Sequence, residues 1–170
     1  MKVNKTNLYK LINYVLNKME MFNYFDVNQL AGTCAVESNM GKYINFPSGE
    51  QGIFKMSHQA EKDLHENFLK QNNDLALKVS QFGRMGELAN NQYYAVAMAF
   101  MQYYQHRISG DKGYKAGKPE DIKLMAWNWK KYYTNFKKEC PEMDFFHKYK
   151  LLILYNNEVK IGRASCRERV

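Results

Sequence analysis

Glu37 ends a run of small and apolar residues, and a loop containing Gly41, Pro47, Gly49 and Gly52 follows it. On a helix, Glu37 lies three residues after Cys34 and seven after Leu30, so it borders their apolar stripe instead of facing away from it. A carboxyl partly withdrawn from water is pushed towards its protonated form, because desolvation penalises the charge. A protonated carboxyl at a cleft edge is the group that delivers a proton to a glycosidic oxygen. The plainer alternative is a helix-end carboxylate in water, or one paired with Lys42. Other chemistries have less behind them. His65-Glu66 begins as a HExxH zinc motif would, but Leu69 stands at the second histidine position. His58, His106 and His147 have no ligand spacing, so neither a metal nor a cofactor is expected. Ser38 lacks the flanking glycines of a nucleophile elbow, and no glycine-rich phosphate loop follows a strand.

The elements that must hold Glu37 read as helices almost throughout. Leu8, Leu11, Ile12, Val15 and Met19 make one stripe. Asp26 is the expected cap of the next helix, with Leu30, Ala31, Cys34 and Ala35 inward. Ser57 is the expected cap of a helix carrying Ala60, Leu64 and Phe68, and Leu75, Leu77 and Val79 fall in a short helix ending near Gly83. Tyr93 to Tyr104 is apolar on almost every side, as a buried central helix would be. A loop rich in Gly and Lys runs from Gly110 to Gly117. Pro119, Glu120 and Asp121 suit a first helical turn, with Ile122, Met125, Ala126, Trp129 and Tyr133 on one face after them. Pro141 is expected to open a last helix, through about Leu152. The segment from 42 to 54 is long enough for a small hairpin or irregular lobe. The expectation is one mostly α domain over residues 1–160.

Two stretches of this chain resemble the motifs of lysozyme-like lytic transglycosylases. The first is Glu37-Ser38, then Pro47, Gly49 and Gly52-Ile53-Phe54-Lys55-Met56, then Ser57-His58-Gln59-Ala60. In the family a catalytic Glu-Ser at a helix end precedes a Gly-x-x-Gly-hydrophobic-Met-Gln-hydrophobic segment and a Pro-x-Thr-Ala helix start. The second is Ala126-Trp127-Asn128, similar to the family's Ala-Tyr-Asn. The run from Trp129 to Asn135 is also similar to the Trp-Lys-x-x-Tyr-Asn-Thr of phage-encoded members. The resemblance spans roughly residues 27–135. It implies a lysozyme-like fold, Glu37 as the sole essential acid and base, and cleavage of peptidoglycan with formation of a 1,6-anhydro end. It implies substrate contacts at Ser38, Gly52, Ile53, Phe54, Lys55, Met56, Trp127, Asn128, Tyr132 and Tyr133. Trp127, Tyr132 and Tyr133 all stand as candidates for the work of the family's tyrosine. The chain departs from the pattern at three places. Lys55 replaces a Gln and so loses an amide acceptor, Phe46 stands where many members have Ser, and Ser57 replaces a Met-Pro lead-in. A two-carboxylate hydrolase would need a partner for Glu37, and Glu50, then Asp63, are nearest.

With 170 residues, 45% of them hydrophobic, 13 Tyr and 10 Phe, the chain has material for a core and is a poor candidate for disorder. No apolar run reaches the ~18 residues of a membrane span. Met1 to Glu20 is lysine-dotted and lacks the apolar centre of a signal peptide, so delivery from a phage virion or the host cytoplasm is expected. The protein is expected to act as a monomer or within a virion assembly. The formal charge of +8 suits an anionic partner such as a cell-wall polymer. A basic helical module that binds nucleic acid or serves as a structural virion part is the competing class, supported by Lys130-Lys131 and Lys137-Lys138. No binding motif of that class is visible, and no nucleic-acid partner is expected. The last ten residues, IGRASCRERV, would be encoded by ATC GGA AGA GCG TCG TGT AGG GAA AGA GTG. That string resembles a short-read sequencing adapter read in frame, so residues 161–170 are expected to be a non-native tail. Without it the charge is +6, because Arg163, Arg167 and Arg169 leave against Glu168. The remaining cysteines, Cys34 and Cys140, suggest no disulfide framework.

Overall fold

The structure, a computed structural model, describes residues 3–110, 114, 116–134 and 142–155. The terminal tail, Asn135, Lys137-Lys138, Cys140 and the helix-opening Pro141 lie outside the described residues. Among the described residues there are seven α-helices: α1 (Lys5–Lys18), α2 (Tyr24–Ser38), α3 (His58–Asp63), α4 (Asn73–Ser80), α5 (Gln92–Ile108), α6 (Ile122–Asn128) and α7 (Glu142–Tyr149). Three of them run on into a turn of π-helix: α3 through Leu64–Phe68, α6 through Trp129–Tyr133 and α7 through Lys150–Leu154. No β-strand occurs among the described residues, so the mostly α expectation holds. The segment from 42 to 56 is an irregular lobe, pinned by two isolated antiparallel bridges, Asn45 with Gln51 and Gln51 with Met56.

The expected apolar stripes do form the core. Leu8, Ile12, Val15 and Met19 of the first stripe are fully buried, and α5 is buried from Tyr94 to Met101. The expected stripe on α2 understates that helix, which is enclosed on nearly all sides. Its buried residues include the polar Asp26, Gln29, Thr33, Glu37 and Ser38. Burial without partners would be costly, and each of these has one. Gln29 donates to the Met125 carbonyl at 3.0 Å, and Thr33 Oγ1 lies 2.7 Å from the Tyr103 hydroxyl.

Asp26 does not cap α2. Asn23 does, its side chain accepting from the backbone N–H of Phe25 at 2.8 Å. Asp26 lies one turn inside and takes both arms of the Arg107 guanidinium, at 3.1 and 2.6 Å, tying α2 to the end of α5. Ser57 caps α3 as expected, accepting from Ala60 N at 3.0 Å. Pro119, Glu120 and Asp121 precede α6 instead of forming its first turn. Asp121 is the cap, accepting from Leu124 N at 3.1 Å.

Helix α7 lies against α2 and α6. Gly32 makes the first approach possible, because a β-carbon there would sit 2.3 Å from the Phe145 ring. Phe145 in turn packs beside Trp129, their ring centroids 5.8 Å apart. Thus α7 backs both the helix that ends at Glu37 and the π turn that faces it.

Candidate active site

Glu37 occupies the last turn of α2. The chain then reverses through three successive residues of positive φ, Asn39 (53°), Met40 (61°) and Gly41 (73°). The reversal is held by Ser38, whose hydroxyl donates to the Ile53 carbonyl at 2.5 Å and accepts from Gly41 N at 2.8 Å. One side chain therefore joins the helix end to the lobe.

The lobe returns through a tight turn. Gly52 has φ +77°, and a β-carbon there would lie 2.4 Å from the Leu88 carbonyl oxygen, so both conformation and space demand glycine. Lys55 also takes a left-handed backbone, at φ +50°, although it carries a side chain. From the other side, Tyr133 donates its hydroxyl proton to the Phe54 carbonyl at 2.7 Å. Adjacent carbonyls of the lobe are thus held by α2 and by the π turn after α6.

That π turn faces Glu37. Trp129 Nε1–H donates to Glu37 Oε1 at 2.9 Å. Both groups are enclosed: Trp129 is 1% exposed and Glu37 is 7% exposed. Tyr133 sits close enough for the negative charge of Glu37 to matter. Its phenol is held well above its ordinary pKa, by desolvation first and then by that charge. Tyr103, stacked on Tyr133 with centroids 5.4 Å apart, is raised by burial against the opposing hydrogen bond of Thr33, with Tyr114 and then Glu37 adding to the rise. Both phenols therefore remain protonated donors near the carboxyl.

Glu37 opens onto a cleft of about 510 Å³. The lobe contributes Glu50, Lys55 and Met56, and α3 with its π turn contributes Ser57, Gln59, Ala60, Asp63 and Leu64. The far wall is Gln102, Gln105 and His106 from α5, with Tyr132, Tyr133 and Thr134. Of the residues expected to touch substrate, Lys55, Met56, Tyr132 and Tyr133 line this cleft together with Glu37. Ser38, Gly52, Ile53 and Phe54 are buried beneath it and shape the turn. Asn128 is fully buried and donates to Gln29 at 3.4 Å, while Trp127 is 40% exposed and does not line the cleft.

Of the three aromatic candidates for a place beside Glu37, Tyr132 and Tyr133 line the cleft with it, and the Tyr133 phenol is raised by its charge after burial. The indole that bonds Glu37 was not among them. Trp129 opens the π turn that Tyr133 closes, on the apolar face continued from α6, and that shared face is the available signal. His106 and the glutamines of α5 carried no sequence signal for a cleft.

Comparison of the chain with protein-family models, with curated proteins and with solved structures returned no match.

Proposed function

We propose that the protein cleaves the bond between N-acetylmuramic acid and N-acetylglucosamine in peptidoglycan, with Glu37 as acid and then base. The observation that carries this reading is Glu37 itself: a carboxyl 7% exposed, fixed by an indole N–H, on the wall of an open cleft. A free helix-end carboxylate would be neither enclosed nor held. The resemblance of Glu37-Ser38 and of Gly52 to Met56 to the lytic transglycosylases supplies the substrate and the outcome.

In the proposed reaction, Glu37 takes up a proton from solvent and gives it to the leaving glycosidic oxygen. The resulting carboxylate then removes the proton of the muramic acid 6-hydroxyl as that oxygen attacks the anomeric carbon. The product is a 1,6-anhydro ring, and no water is consumed. Delivery from a phage virion or an infected cytoplasm belongs to the same proposal.

A hydrolytic variant has one observation in its favour. Glu50 and Asp63 line the same cleft as Glu37, and a second carboxylate could activate water. The test is purified peptidoglycan treated with the protein, with Glu37→Gln and with Glu50→Gln, and released muropeptides weighed by mass spectrometry. Anhydro products from the parent and from Glu50→Gln, with none from Glu37→Gln, are expected. Reducing-end products lost in both variants would transfer the reading to the hydrolase. No release by folded parent protein would sink both.

A further inference from the structure

The cleft is acidic. Its lining holds three carboxylates, Glu37, Glu50 and Asp63, against a single lysine or arginine among the described residues, Lys55. Lys55 is unusual in two independent ways. Its backbone sits at φ +50°, a conformation that costs a residue with a β-carbon about 1 kcal/mol or more and that Gly would adopt freely. The turn enforces it, through Lys55 N donating to Gly52 O at 3.1 Å and Met56 N to Gln51 O at 3.0 Å. Its ammonium has no carboxylate partner among the described residues either. It rests over the Phe46 ring, 4.6 Å from the centroid.

A ring face orients an ammonium without cancelling its charge, so the N–H donors remain for an incoming acceptor. Glu50 and Asp63 would repel an anionic ligand unless a cation met it. We infer that Lys55, held over Phe46, is a specificity residue that binds a carboxylate carried by the glycan. This inference rests on the proposed glycan cleft. It adds to that reading the residue that holds the acid substituent of the strand and asks which acid group it holds. Two sources share that chemistry: the lactyl carboxylate of strands stripped of peptide, and the carboxylates of the peptide stem.

Binding is measured by calorimetry on Glu37→Gln, so that turnover does not interfere. The probes are a stripped muramyl tetrasaccharide, its peptide-bearing counterpart and a neutral N-acetylglucosamine tetramer. At least one acidic probe is expected to bind about 10- to 100-fold tighter than the neutral one, the range for a hydrogen bond to a charged group. Adding Lys55→Gln should erase that gap, and adding Lys55→Arg should keep most of it. Preference for the stripped probe assigns the lactyl group, and preference for the peptide-bearing one assigns the stem. Equal affinity for all three probes overturns the inference, as does a gap that survives Lys55→Gln in folded protein. Absence of all binding overturns it as well. Muropeptide release without a gap would leave the catalytic reading intact. A gap without release would sink catalysis and leave Lys55.

Discussion

The bond between Trp129 and Glu37 joins two groups 92 positions apart, and its contribution can be isolated. Trp129→Phe removes the N–H and keeps a ring beside Phe145. A hydrogen bond to a charged group contributes about 1.5–3 kcal/mol. The smaller ring also leaves a void at a site 1% exposed, worth about 1–2 kcal/mol more. Trp129→Phe should therefore destabilise the fold by about 2.5–5 kcal/mol. Glu37→Met removes the acceptor at similar length. Urea unfolding of the parent, both single variants and the double variant then gives a coupling energy free of the packing loss. We expect a coupling of about 1.5–3 kcal/mol. A value below about 0.5 kcal/mol, the level at which independent sites add, would refute the claim that this bond holds the carboxyl.

Other outcomes follow from single positions. Gly52→Ala should destabilise by about 2 kcal/mol or more in the same unfolding assay, because it meets both a positive φ and the Leu88 carbonyl. Burial pushes the Tyr114 phenol up to about 12. Such a phenol keeps its proton in the native state after the unfolded chain has lost it. Stability present below about pH 10 should thus fall by about 3 kcal/mol as pH rises to about 12, seen as a falling melting temperature with late tyrosinate absorbance. Tyr103 and Tyr133 shift the same way and should steepen the loss. Burial also pushes the Cys34 thiol up to about 12, so Cys34 should resist thiol reagents in native protein and react at once in urea.

The helices were legible because their apolar periodicity is strong. The stripe from Leu8 to Met19 and the apolar run of α5 became core. What misled was local chemistry with more than one use. Asn23 and Asp26 are both good caps, and nothing nearby shows that Asp26 answers to Arg107, 81 positions on. The candidate acid was legible from its place beside Cys34, and Lys55 and Tyr133 from their motifs. Trp129 was legible only as core, since an indole on an apolar face gives no hint of which distant acceptor its N–H meets. The π turns were not legible either. The one after α6 adds a residue to the turn within which Trp129 and Tyr133 lie.

The lobe turn is bonded by Ser38 on one side and Tyr133 on the other, through neighbouring carbonyls. Closing that clasp brings together parts of the chain 15 and 79 positions apart. The second closure costs about 1.5 kcal/mol more loop entropy than the first, which the docking of α2, α6 and α7 offsets. The cleft is therefore expected to form late in folding. A protease or a denaturant should abolish the carboxyl's surroundings as soon as it loosens the helix packing, with no stage at which the cleft outlives the core.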